Sequence, residues 1–245
     1  MSEFILIADE KAGSRSLLCL KFAELGYRPV VVSSQADDAL LAWQLQMEEL
    51  GCKCEIYVCG AHASYSQYAE EIEQRFGPIA CFVAHANFAI PSALEAGNNG
   101  VQAASVTRGL IGPMVQLMSQ RDNGRLVIVH SLPQDPDDGL GFPDAEAEVG
   151  AGFAAVMQAA RQAAGLSNKV GISVSGIEIR TPSLAEGAQC FLAQHCTLPS
   201  RVEHGEQLQE MVSLAAYIIA DETAILNGAH IVLDDGRRET IGRSA

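Results

Sequence analysis

Residues Met1–Ser34 read MSEFILIADEKAGSRSLLCLKFAELGYRPVVVSS. Phe4-Ile5-Leu6-Ile7 is an unbroken apolar run, the pattern of a strand buried on both faces. Ser16 to Leu25 reads as a helix stopped by Gly26, and Val30-Val31-Val32 as a second strand. Strand, helix and strand make the opening βαβ unit of a nucleotide-binding type of fold. There, a glycine-rich turn lets backbone approach a phosphate at the helix N-terminus. Here that turn is Ala8-Asp9-Glu10-Lys11-Ala12-Gly13-Ser14-Arg15, with one glycine and two acids. The frame is present and the phosphate seat is altered.

Outward from this unit, strand-like runs recur at Phe4–Ala8, Arg28–Val32, Lys53–Val58, Ile79–Ala84, Arg125–His130, Lys169–Ser175 and Ala229–Leu233. Helical stretches separate them. Asp37–Leu50 interleaves leucines, Trp43 and Met47 with polar residues, and Ser64–Phe76 places Tyr65, Tyr68, Ile72 and Phe76 near helical spacing. This alternation predicts an α/β fold over residues 1–245 as a single domain: a Rossmann-like, doubly wound parallel sheet of about seven strands with helices on both faces. One segment breaks the rhythm. HSLPQDPDDGLGFPDAEAE, His130–Glu148, reads as a loop above the carboxyl ends of the strands, where ligands bind in such sheets. Arg180–Gly205 is a second irregular stretch.

Composition narrows the function classes. Hydrophobic residues make up 48% of the 245, enough for a substantial core. The net charge of -14 disfavours nucleic acid and anionic lipid as partners. No apolar run is long enough to span a membrane and no secretory leader precedes the first strand, so a cytoplasmic location is expected. Seven cysteines show no spacing that suits zinc and read as reduced thiols. No metal is expected.

The order of these segments resembles the short-chain dehydrogenase/reductase superfamily over nearly the whole chain. Ala220-Asp221-Glu222-Thr223-Ala224-Ile225-Leu226-Asn227-Gly228-Ala229-His230-Ile231-Val232-Leu233-Asp234-Asp235-Gly236 looks like that family's closing helix, turn and last strand. Phe76-Gly77-Pro78-Ile79 resembles its approach to strand four, and Gly124-Arg125-Leu126-Val127-Ile128-Val129 its strand five. The resemblance implies a Rossmann-like fold; it does not carry the activity, because the family's functional positions are changed.

Matched onto the family's three turn glycines, Asp9 takes the first position, Gly13 the second and Arg15 the third. At an effective dielectric of about 20, a carboxylate about 4 Å from a phosphate charge repels it by about 4 kcal/mol. Asp9 can itself accept amide hydrogen bonds at the positive end of the helix. Cys59 stands where the family places an acid beside adenine. Ala84-His85-Ala86-Asn87 stands where it places Asn-Asn-Ala-Gly, with Ala84 at the first asparagine. The family's catalytic serine falls on Ser131, its tyrosine on Asp144 and its lysine on Glu148. None of the tyrosines, Tyr27, Tyr57, Tyr65, Tyr68 and Tyr217, has a lysine four residues on. Hydride transfer to a carbonyl needs a proton donor near neutral pH, and two acids supply it poorly. Asp144, Glu146 and Glu148 read instead as first-turn acids of a helix. Asn98 and Asn99 lie near the family's catalytic asparagine without matching it.

Kept fold with lost chemistry implies a subunit role. The expectation is a chain that binds neither NAD nor NADP and assembles with an active paralogue of the same family, two copies with two, the partner holding NAD. The motif losses resemble those of the inactive subunit of a hydroxyacyl-CoA dehydrogenase of the benzylsuccinate pathway in anaerobic toluene degradation. The helix Ala145–Ala164 is rich in small residues that let backbones approach. Met114, Met118, Phe153, Ala155 and Met157 are candidate contact residues, with Leu117 beside them. Two alternatives stand beside this one: a divergent enzyme using Ser131 with Asp144 or His85, and a ligand-sensing regulatory module.

Overall fold

The computed structural model describes residues 3–9, 12–34, 36–60, 64–86, 98–134, 152–162, 171–182, 202–220 and 226–233. In chain order these form β1 (Phe4–Asp9), α1 (Ala12–Glu24), β2 (Arg28–Ser33), α2 (Asp38–Glu49), β3 (Glu55–Val58), α3 (Tyr65–Phe76), β4 (Ile79–Ala86), α4 (Asn98–Gln120), β5 (Gly124–Gln134), α5 (152–162), β6 (Ile172–Pro182), α6 (Val202–Ala220) and β7 (His230–Leu233). The seven strands form one sheet in the order β3-β2-β1-β4-β5-β6-β7, every pairing parallel. The chain therefore winds outward from β1 to β3, then crosses back to place β4 on the other side of β1. That reversal makes the crevice between β1 and β4 the topological switch point.

Alternation along the strands separates two cores. Leu6, Ala8, Val30, Val32, Phe82, Ala84, Leu126 and Ile128 face α3, α4 and α5. Ile5, Ile7, Val31, Cys81, Val83, Val127 and Val129 face α1, α2 and α6. Strands buried on both faces explain the apolar runs that mark them in the sequence.

Local chemistry sets the helix ends. In α1, Gly26 adopts φ +87° while its amide bonds Ala23 O and that of Tyr27 bonds Phe22 O, a Schellman arrangement that satisfies the last carbonyls. Gly51 closes α2 in the same way, through Gly51 N to Glu48 O and Cys52 N to Met47 O. Asp37 caps the start of α2 by accepting from Leu40 N at 2.7 Å. Ser64 and Gln67 form a reciprocal capping box at α3. The C-terminal signature also has a structural explanation. Asn227 Oδ1 accepts from Val174 N at 3.0 Å, Gly228 N bonds Val174 O, and Ser175 Oγ donates to Leu226 O at 2.6 Å. The Asn-Gly turn is thus pinned onto β6 and delivers β7 in parallel beside it.

Three expectations change. The helix expected from Ser16 begins at Ala12, because Ser14 continues the buried stripe of Leu18 and Phe22 by one turn. His130–Gln134, expected as loop, extends β5, with Gln134 in register with Pro182. Among the described residues β4 ends at Ala86, opposite His130, while β5 stays in register with β6 to Gln134. The irregular stretch from Arg180 shortens likewise, since β6 runs to Pro182 and α6 starts at Val202.

Candidate functional site

At the switch point Asp9, the last residue of β1, lies in register with His85, next to last in β4. α1 begins three residues after Asp9. Its first turn carries Gly13, Ser14 and Arg15. Ser14 Oγ lies 3.1 Å from His85 Nδ1, with the two residues 1% and 2% exposed. A buried imidazole requires a partner, and this one joins the first turn of α1 to the end of β4. A serine–histidine contact is also the geometry of an activated nucleophile. At these exposures neither atom meets a substrate, so the bond acts as a bolt between two elements.

Arg15 leans away from the crevice. Its guanidinium lies over the Trp43 ring of α2, 5.3 Å from the centroid, while Trp43 Nε1 donates to Ser16 Oγ at 2.8 Å. Cys59 is buried just past β3, its amide bonded to Ser33 O at 2.8 Å. Burial pushes its thiol up to about 12, and the Glu71 carboxylate adds to this. Ala84 is fully buried in the core beneath α3 and α4. Thus Ala84 fills core, and Cys59 offers an apolar, neutral thiol.

Ser131 lies in β5 in register with Ile179. Asp144, Glu148 and the start of the helix expected from Ala145 lie outside the described residues, as do Asn87 and Glu146. Beside Ser131, His130 is fully buried and stacks on Phe153 of α5, centroids 5.3 Å apart. Phe153 also meets His230, centroids 5.2 Å apart, and His230 Nε2 lies 3.1 Å from Glu178 Oε2. Two imidazoles and a phenyl ring thus pack together over β5, β6 and β7.

The contact candidates are divided by burial. Met114, Met118, Phe153 and Met157 are each at most 3% exposed and pack on their own sheet. Phe153 and Met157 close over Gly176, where an added Cβ would come within 2.9 Å of the ring. These four cannot reach a partner helix without leaving the core, which corrects the expectation for them. Ala155 is exposed, on the outward face of α5 with Ala154, Gln158 and Ala159.

Sequence reasoning missed Ser14, Glu178 and His230. Ser14 was detectable from the helical spacing Ser14–Leu18–Phe22; Glu178 and His230 depend on strand register. A cavity of about 400 Å³ opens at the opposite end of the sheet, beside Tyr27, Cys81 and Arg125, away from the crevice. Among the described residues, no cluster of three His, Cys, Asp or Glu is arranged to hold a metal, and no helix is long and apolar enough to cross a membrane.

No family model matches the sequence, and no curated protein matches it. Solved structures do match the fold. A short-chain dehydrogenase/reductase from Serratia marcescens is 14% identical over 96% of this chain and 97% of that chain, with a TM-score of 0.62. YwfH, an NADPH-dependent reductase involved in bacilysin biosynthesis, is 15% identical over 97% and 98%, with a TM-score of 0.64. Levodione reductase is 16% identical over 96% of both chains, with a TM-score of 0.63. The fold of this chain is therefore that of the short-chain dehydrogenases/reductases, along almost its whole length.

Proposed function

We propose that this chain is a non-catalytic, cytoplasmic subunit that assembles with an active short-chain dehydrogenase/reductase paralogue, two copies with two, and that NAD is held by the partner. The Ser14–His85 bond carries this reading. A dinucleotide spanning a switch point passes its diphosphate by the first turn of the first helix, using free backbone and small side chains. Here the hydroxyl of that turn and the imidazole below it are bonded to each other and buried. Arg15 takes the place of a glycine and rests on Trp43. The residues present do not fit a dinucleotide.

The sequence adds that no tyrosine precedes a lysine by four residues, and that α5 carries neither residue type between 152 and 162. With the proton donor and the cofactor seat both replaced, what the chain retains is a packed fold and its outer surfaces. On this reading the partner surface includes the outward face of α5 around Ala155 and Ala159. The substrate is the partner's, and the toluene-pathway enzyme named above is one setting with this division of labour.

Calorimetric titration of the isolated chain with NAD(H) and NADP(H) tests the cofactor half of the reading. No heat of binding is expected up to millimolar cofactor. A micromolar dissociation constant for either nucleotide would overturn it.

A further inference from the structure

Large apolar side chains stand in solvent at one margin of the fold: Leu41 (54% exposed) and Leu45 (63%) on α2, and Val58 (38%) on β3. Leu40, Trp43 and Met47 turn toward the sheet. At 3.6 residues per turn, Asp38, Leu41, Ala42, Leu45, Glu48 and Glu49 then form the outward face of α2, and all six are exposed. Gln44 Nε2 donates to Cys54 O at 3.0 Å, which sets the flank of α2 shared by Gln44, Leu41 and Glu48 toward β3. Val58 lies on the same face of β3 as Ile56, which packs against the core under α1, α2 and α6. β3 ends the sheet, with β2 on its inner side. Leu45, Leu41 and Val58 thus share one apolar margin.

The charges around that margin have one sign. α2 contains no lysine or arginine, and among the described residues no cation pairs with Asp38, Glu48 or Glu49. Glu48 and Glu49 occupy the last turn, where the helix carbonyls already present negative charge. Acids placed there oppose the helix dipole, and an approaching cation relieves both.

We propose that this margin docks a basic amphipathic helix of a partner protein. The apolar face of that helix covers Leu41, Leu45 and Val58, and its lysines or arginines meet Asp38 at one end and Glu48 and Glu49 at the other. From Asp38 to Glu49 the face is about 16 Å long, which three turns of a partner helix match. A second copy of this chain would set acids against acids, and an anionic lipid surface would meet the same repulsion. The margin lies on the opposite face of the sheet from α5, so it does not depend on the subunit reading.

The probe is a dye-labelled synthetic helix with leucines along one face and lysines at both ends, titrated with the full chain and followed by fluorescence polarisation. A control peptide has the same composition with its leucines scattered round the helix. Saturable binding is expected, at least about tenfold tighter than that of the control. The Leu41→Ser, Leu45→Ser double variant should weaken it at least about tenfold. The Glu48→Gln, Glu49→Gln double variant should weaken it and flatten its salt dependence. All four side chains are exposed, so circular dichroism should be unchanged. In the wild type, hydrogen exchange should show the probe protecting α2 and not α5, a readout that needs no variant. Equal binding of the two peptides, undiminished binding to the leucine variant, or protection confined to other elements would overturn the proposal. Wild-type self-association that the leucine variant abolishes, seen by light scattering, would overturn it in favour of a second copy.

Discussion

Ser14 and His85 are 71 residues apart in sequence and 3.1 Å apart in the fold, at the point where the strand order reverses. Their bond links the opening turn of α1 to the end of β4. Ser14→Ala leaves a buried imidazole nitrogen without this partner, which costs about 1–3 kcal/mol. The expected result is a lower urea midpoint with unchanged turnover of the assembled complex. Loss of turnover at full assembly would instead assign Ser14 a chemical role.

Ala155 separates a partner face from a solvent face. Because it is exposed, Ala155→Glu should leave the fold intact by circular dichroism. If the outward face of α5 is covered by the partner, an unpaired buried charge costs several kcal/mol. Association should then weaken by at least about tenfold, measured by light scattering on a mixture of the two chains. Unchanged association would move the interface elsewhere.

Gly109 of α4 packs under Tyr65 of α3. An added Cβ would sit 2.4 Å from the Tyr65 ring, which is too stiff to yield cheaply. Gly109→Ala is expected to destabilise the chain by about 1–3 kcal/mol, read as a shift in denaturation midpoint. A neutral result would mean that the two helices pack less closely than described.

Tyr27 is pushed up to about 12 by burial and then by Cys81, and Cys81 is pushed up to about 12 mainly by burial. Their ordinary values are 10.0 and 9.0. As pH rises, the unfolded chain loses these protons before the folded one. The stability they contribute is therefore whole below about pH 9 and is lost as pH climbs through about 12. The midpoint measured across that window should fall less steeply in the Tyr27→Phe, Cys81→Ala double variant than in the wild type. Equal slopes would remove both groups from the account.

The strands were legible because burial on both faces leaves a local mark: Ile5–Ile7, Val30–Val32 and Val127–Val129 are apolar without a break. The ends were less so. β5 runs on through Pro133, in register with Thr181 of β6, a pairing with no local signal in the sequence. That the first turn departs from a glycine-rich one could be read from Asp9 and Arg15, but the Arg15–Trp43 contact could not. Only the packing of α1 over the sheet brings Ser14 to His85, and only strand register brings Glu178 to His230. Phe153 and Met157 show the limit most plainly. Their spacing suits a helix face, yet whether that face meets a partner or its own sheet depends on Gly176, a gap in β6 that they fill.

The chain is mixed with each short-chain dehydrogenase/reductase found to copurify with it from native cells, and mass is measured by size-exclusion chromatography with light scattering while NAD-dependent turnover is followed across the same peak. The account predicts a particle of two chains with two, active through the partner, and equally active when this chain carries Ser131→Ala. A chain that remains alone with every such candidate, or a complex whose turnover falls by two or more orders of magnitude (about 3 kcal/mol) on Ser131→Ala at full assembly, would contradict it.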